Sequence, residues 1–302
     1  MSGPSARRAV LVTGGTGFVG GAVIAALAAA NYRVRVLSRR HPLAGATGVE
    51  YVRGDLGSRE SLQAALAGCE AVIHCAGEKS DIARMQEVNV DGTRRLFEVS
   101  GQLGVQRFCH LSSVGVIGRV TVREVDESTP CRPMSRYEET KLRAEQCVAQ
   151  GLDGGNVVIL RPTNVFGAAT LDGLARHSPA AKLKLALKAR EHAHFVYVGD
   201  VAAAALHLTF RAAAPAIETC IVSSDEEPGN TVAEIQAVVA AARDGAPRTS
   251  LALPAFVPYY LRRLGGGAAN RGDVVYSAGR LRATGFRFPF GLASGLRQAL
   301  IG

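Results

Sequence analysis

The sequence predicts an α/β fold: a doubly wound parallel sheet with a smaller, interleaved C-terminal substrate lobe. Three observations carry this. Short apolar runs of strand length alternate with helical periodicity from residue 9 to residue 161. A glycine cluster sits between the first run and the first helical stretch. After about residue 167 the alternation loosens, with no proline-rich or Gly/Ser linker to mark a separate bead.

The elements follow in order. Residues 9–13 (AVLVT) form an apolar strand that ends at the glycines, and 18–30 carry apolar residues at helical spacing. Residues 33–38 read as a second strand, and YVRGDL (51–56) holds a short third. Ser58 is placed to cap a helix through about Leu66. AVIHCAG (71–77) is a fourth strand, 84–102 a helix, RFCHLSS (107–113) a fifth strand, Tyr137 to Gln150 a helix and VVILR (157–161) a sixth strand. Later expectations are a helix after Asp200, with Asp200 as its cap, a helix over 178–190, and another opened by the capping-box pattern Thr231–Glu234. The expected division is 1–167 for the sheet domain, with return segments around 195–225, and 168–302 for most of the second lobe.

Composition narrows the function. The 302 residues are 47% apolar and 20% charged, as in ordinary globular proteins. The net charge is +9, but the bases are scattered and no aromatic-rich basic run suggests a nucleic-acid groove. Cys69, Cys75, Cys109, Cys131, Cys147 and Cys220 form no CxxC pair and have no histidines at zinc spacing, so no metal site is expected and the thiols read as reduced, in a cytoplasmic protein. The apolar run after Arg7 and Arg8 breaks at Thr13 to Gly15, too early for a signal peptide, and no stretch reaches membrane-span length.

VTGGTGFVGG (12–21) is the first site motif. Gly15, Gly17 and Gly20 fit G-x-G-x-x-G, and Gly14, Gly17 and Gly20 equally fit G-x-x-G-x-x-G. Such a turn lets the backbone approach a pyrophosphate, and the following helix N-terminus, at Phe18 and Val19, offers it free N–H groups. The second strand then ends at Ser38 and continues into Arg39 and Arg40. A carboxylate there would favour NAD, whereas a guanidinium suits the 2′-phosphate of NADP. NADP(H) is therefore the expected cofactor, with NAD(H) the alternative.

Tyr137 and Lys141 in YEETK (137–141) share one helix face, where an ammonium would lower the phenol pKa and ready it for proton transfer. His74 and His110 lie within strands, where satisfied structural roles are expected rather than ligation.

With TGGTGFVG (13–20), GDL (54–56), VIHCAG (72–77), NVDGT (89–93), LSSVGVIG (111–118), YEETK, RPTNVFG (161–167) and FVYVGDVA (195–202), the chain resembles the extended short-chain dehydrogenase/reductases, also called the NAD-dependent epimerase/dehydratase family. The resemblance implies a Rossmann fold and a catalytic triad of Ser113, Tyr137 and Lys141, Ser112 being the alternative serine. It implies that Asp55 accepts from the adenine amine beside Leu56. Ala76 and Gly77 would pass under the ribose, Lys141 would contact it, and Pro162 to Val165 would border the nicotinamide amide. Glu78, Asn164 and His194 are its candidate substrate contacts. Glu138 departs from the family's usual small residue after the tyrosine. The family's helices often pair across a two-fold axis, which implies a homodimer. Two activities compete. The first is a ketoreductase like the dihydroflavonol reductases and 3β-hydroxysteroid dehydrogenases, favoured by Arg39. The second is a nucleotide-sugar epimerase/dehydratase, favoured by Asn164 but lacking the usual arginine at 193–194. A non-catalytic NADP-binding redox sensor is a minor third reading, because such sensors commonly lose the Tyr/Lys pair.

Overall fold

The structure, a computed structural model, describes residues 9–40, 48–175, 188–244 and 272–301. The strands are β1 (Ala9–Thr13), β2 (Val34–Ser38), β3 (Val49–Arg53), β4 (Cys69–His74), β5 (Arg107–Leu111), β6 (Glu124–Val125), β7 (Asn156–Pro162), β8 (Asn164–Phe166), β9 (Phe195–Tyr197), β10 (Ile217–Val222) and β11 (Val275–Tyr276). The helices are α1 (Phe18–Ala29), α2 (Arg59–Leu66), α3 (Ile82–Met85), α4 (Gly92–Gln102), α5 (Arg136–Val148), α6 (Ala168–Ala175), α7 (Val198–Phe210), α8 (Val232–Asp244), α9 (Gly279–Ala283) and α10 (Gly291–Ile301).

Seven strands form one sheet in the order β10-β7-β5-β4-β1-β2-β3, and the pairs from β3 through β7 are parallel. This is the doubly wound sheet expected from the alternation. Its strand order reverses between β1 and β4, so the crevice beyond their C-terminal ends is where such a sheet binds ligands. Every residue of β1 is buried. Leu11, Val72, Phe108 and Ile159 meet Leu62 and Leu66 of α2, Leu96 and Phe97 of α4 and Val148 of α5 in one apolar cluster. Each such side chain contributes about 1.5–3 kcal/mol on full burial, so the cluster holds the helices against the sheet.

The chain divides into two compact units. The first comprises residues 1–116, 133–161 and 202–220, and the second 117–132, 162–201 and 221–302. Residues 117–132, expected with the sheet domain, fall in the second unit, where β6 pairs in parallel with β11. The second unit has its own core, in which Phe166 and Leu171 pack with Ile235, Val239, Leu292 and Leu296.

Two expectations are corrected and a third is not tested. The helix over 84–102 is interrupted by a π-helical turn, Gln86–Asp91, between α3 and α4. The helix near Asp200 starts earlier, at Val198, so Asp200 lies inside its first turn; its Oδ1 accepts from the Phe290 backbone N–H at 3.0 Å instead of capping α7. Most of the helix expected over 178–190 lies outside the described residues. Ser58 caps α2 as expected, accepting from the Ser61 N–H at 3.1 Å. The capping box of Thr231 and Glu234 at the start of α8 is also formed.

Candidate active site

The turn after β1 shows why glycine is needed. Gly14 has φ +68°, and a Cβ there would lie 2.5 Å from the Ala76 backbone nitrogen. A Cβ on Gly20 would lie 2.2 Å from the Gly14 carbonyl oxygen. These are the ends of the G-x-x-G-x-x-G pattern, and any larger residue would push apart the turn, α1 and the segment after β4. The α1 N-terminus has no side-chain cap and no acidic residue in its first turn. Its N–H groups at Phe18, Val19 and Gly20 and its partial positive charge suit an anion. The residues present therefore fit a dinucleotide pyrophosphate.

Around this turn, Gly77 and Glu78 follow Ala76 in the loop after β4. The Glu78 carboxylate accepts from the N–H groups of Ser80 and Asp81, which lower its pKa. Asp55 is exposed and its Oδ1 accepts from the Gly57 N–H at 2.6 Å, closing its own turn. The Leu56 carbonyl accepts from Arg95 at 2.5 Å. Arg39 is exposed, with no hydrogen-bond or ion-pair partner among the described residues.

The second cluster lies at the end of β5. Its anchor is α5, which starts in a capping box: Ser135 accepts from the Glu138 N–H, and Glu138 Oε2 accepts from the Ser135 N–H at 3.0 Å. The same oxygen accepts from the Met134 N–H at 2.6 Å. This engages the carboxylate that follows Tyr137. The S-x-x-E spacing at 135–138 is the sequence signal for this box. Ser113 Oγ accepts from the Gly115 N–H at 3.1 Å. A Cβ on Gly115 would stand 3.3 Å from that Oγ and 3.1 Å from Glu138 Cγ, so the serine and the start of α5 converge on this glycine. Ser112 Oγ is buried without a hydrogen-bond partner among the described residues.

Lys141 is 4% exposed and donates from Nζ to the Leu111 carbonyl at 2.5 Å. Burial lowers its pKa to about 8, against smaller opposing effects of Glu145 and Cys75. The phenol of Tyr137 is shifted upward, first by burial and then by the Glu138 charge. The lowering expected from Lys141 does not appear: the amine is itself buried and turned toward Leu111. Cys75 has its pKa raised to about 12 by burial, which makes it a poor nucleophile.

Asn89, to which the sequence reading gave no role, is buried in the π-helical turn. Its side chain accepts from the Glu78 N–H at 2.7 Å and donates to the Glu78 carbonyl at 2.8 Å and to Thr140 Oγ1 at 3.0 Å. It thus joins the loop after β4 to α5. A widened helical turn often marks such functional positions, but NVDGT carries no periodicity signal for one.

The remaining candidates belong to the second unit. Pro162 ends β7, and Val165 lies on β8 opposite Val196 of β9. Asn164 donates its side-chain amide to the Ala193 carbonyl at 2.8 Å. His194 has φ +53° and its Nδ1 lies 2.6 Å from Oδ2 of the buried Asp225. His74 is satisfied on both ring nitrogens, as expected for a structural histidine. His110 is not: it is fully buried, and neither ring nitrogen has a partner among the described residues.

A glycine turn at the switch point of a doubly wound sheet, with Ser113 just past the end of β5 and a Tyr137/Lys141 helix whose lysine reaches that strand end, defines a dinucleotide-binding protein of the short-chain dehydrogenase/reductase type. The model of the NAD dependent epimerase/dehydratase family matches residues 10–217, and the chain belongs to that family. It is 35% identical over 168 residues to the 4-hydroxy-2-methyl-3-oxo-4-farnesyl-3,4-dihydroquinoline-1-oxide ketoreductase of Stigmatella aurantiaca, covering 52% of this chain and 50% of that protein. The chain spans about half the length of the curated relatives it matches. Among solved structures it is similar to a short-chain dehydrogenase/reductase superfamily protein of Agrobacterium tumefaciens with bound NAD, at 27% identity and TM-score 0.76, over 97% of this chain and 96% of that one. It is also similar to the UDP-glucose 4-epimerase of Thermus thermophilus in complex with NAD, at 26% identity and TM-score 0.70, over 97% and 98%. Among the described residues no helix is long and apolar enough to cross a membrane.

Proposed function

We propose that the protein is an NADP(H)-dependent oxidoreductase that reduces a ketone of a small organic substrate, or oxidises the matching alcohol, with Ser113, Tyr137 and Lys141 as its catalytic residues. One observation carries this reading. The buried Lys141, one turn after Tyr137 on α5, donates to the Leu111 carbonyl at the end of β5, two residues before Ser113 and in the same unit as the glycine turn. When bound, the nicotinamide dinucleotide supplies the hydride. Tyr137 holds at its Oη the proton that goes to the carbonyl oxygen, and takes it back in the alcohol direction. The Ser113 hydroxyl donates to the same oxygen as negative charge develops there. Lys141, protonated at neutral pH with a pKa of about 8, has its amine on the Leu111 carbonyl here, and in the reaction it turns from that carbonyl to stabilise the phenolate that Tyr137 leaves behind. Gly14, Gly17 and Gly20 leave room for the pyrophosphate, and Arg39 meets the 2′-phosphate. Asp55, Pro162 and Val165 keep the adenine and nicotinamide roles that the family resemblance gives them. We also infer a cytoplasmic homodimer paired through α4 and α5, which light scattering would read as twice the chain mass.

The alternative is a nucleotide-sugar epimerase with a retained dinucleotide, favoured by exposed Asn164 and by the likeness to the Thermus epimerase. Against it, the Asn164 amide is already given to Ala193, and His194, where an arginine is usual, is engaged by Asp225. The test offers NADPH with a panel of cyclic and aromatic ketones and, in parallel, UDP-sugars without added cofactor. Net consumption of NADPH with a ketone is expected. An epimerised UDP-sugar, with no ketone reduced, would overturn the reading.

A further inference from the structure

One buried hydrogen-bonded chain in the first unit has its hydrogens placed by the single hydrogen of a threonine hydroxyl and the neutrality of a buried imidazole. Thr93 Oγ1 donates to the Asn89 carbonyl at 2.6 Å. A threonine hydroxyl has a single hydrogen. Toward His74 Nε2, 2.8 Å away, Thr93 Oγ1 therefore accepts, and His74 carries a hydrogen on Nε2. His74 is fully buried; burial and then the Lys141 charge hold its pKa at about 3, so the ring is neutral. Its Nδ1 is therefore bare and accepts from the Thr13 hydroxyl at 2.6 Å.

Both ends of this chain lead to the site. Thr13 is the last residue of β1, directly before Gly14, and its carbonyl accepts from the Cys75 N–H at 3.1 Å. At the other end, the Asn89 side chain holds Glu78 and Thr140, and the Thr140 hydroxyl donates to the Tyr137 carbonyl at 2.9 Å. An imidazole of fixed tautomer suits the middle position, because it donates on one side and accepts on the other. His110 pairs with His74 in register on the neighbouring strand, ring centroids 5.3 Å apart, but among the described residues neither of its nitrogens joins a chain.

We propose that His74 is a positioning residue: a neutral Nε2–H imidazole that ties the strand end opening the glycine turn to the Asn89 segment bracing the tyrosine helix, setting both in one register. This rests on the dinucleotide-binding reading above and goes beyond it, because neither His74 nor Thr93 carries a role there.

Two measurements test it. Nitrogen-15 NMR of the wild type, with the His74 signals assigned by their loss in His74→Asn, should show the neutral Nε2–H form from neutral pH down to pH about 5. An Nδ1–H or protonated ring would overturn the proposal. Calorimetric titration with NADPH should show affinity about tenfold lower in Thr93→Val, the loss of roughly one hydrogen bond, and restored in Thr93→Ser, which keeps the hydroxyl. The double variant Thr13→Val/Thr93→Val should bind no more weakly than the weaker single variant, since either change breaks the same chain. Wild-type affinity in Thr93→Val, or losses that simply add in the double variant, would overturn the proposal alone. A wild type that binds neither NADPH nor NADH would count against the dinucleotide reading as well.

Discussion

Toward its C-terminal end α5 buries Glu145 against Arg161 of β7, with both carboxylate oxygens paired at 3.0 and 2.6 Å. One turn earlier the same helix buries Lys141, whose amine donates to an uncharged partner, the Leu111 carbonyl. Both charges are taken out of water, but among the described residues only the first meets a full opposite charge at close range. The Glu145–Arg161 pair fixes how α5 lies on the sheet. Lys141 costs stability where it sits, and the proposed function gives that burial a use, as part of the chemistry at Tyr137. On the proposed function, the helix therefore separates a fastening half from a reacting half.

That separation can be broken from either side. On the reacting side, Tyr137→Phe should lower turnover by roughly 10²–10⁴ while the unfolding midpoint and dinucleotide affinity stay near wild type. Retained turnover would remove Tyr137 from the chemistry. On the fastening side, Arg161→Met leaves the Glu145 carboxylate buried without its partner, so urea unfolding should show a loss of about 3–5 kcal/mol. A loss comparable to that of a surface substitution would show that the pair does not fasten the helix. Arg39→Asp should weaken NADPH binding by at least about tenfold and leave NADH binding similar or better, read by titration. Equal affinities of the wild type for both dinucleotides would remove the assignment of Arg39. The smallest effect belongs to the cap: Ser135→Ala should cost about 1 kcal/mol of stability, visible as a small shift in the urea midpoint.

The reacting half was more legible in the sequence than the fastening half. Tyr137 and Lys141 are four residues apart, and local periodicity alone puts them on one face. Glu145 and Arg161 are sixteen apart on different elements, so their pairing is visible only once β7 is placed beside α5. The same distinction explains Asn89, whose contact with Thr140 spans 51 residues. The strand and helix order was legible because the buried strands are continuous apolar runs and the glycine turn punctuates them. The π-helical turn was not, because one widened turn barely disturbs the spacing of apolar residues. Asp200 misled for a physical reason: an aspartate at a helix start usually caps it, but here burial draws the side chain to the Phe290 N–H. His110 misled too, since position in a strand says nothing about whether a ring finds partners.

The most direct test of the separation is the unfolding free energy of the wild type and of Lys141→Met, without added dinucleotide, followed against pH. The Lys141 pKa is about 8 in the folded chain against an ordinary 10.5. Below pH 8 the amine is protonated in both states, and the cost of burying its charge weighs fully against the fold. Between about 8 and 10.5 the unfolded chain binds more protons, so this group adds stability as pH rises; above that range the cost is gone. The raised pKa values of Cys75 and Tyr137 act in the opposite direction, and taking the difference between the two proteins largely cancels them. Relative to Lys141→Met, the wild type should gain about 3 kcal/mol as pH rises through that window. A difference that stays flat from pH 7 to pH 10 would mean that Lys141 carries no burial cost, and the contrast between the two halves of α5 would fall.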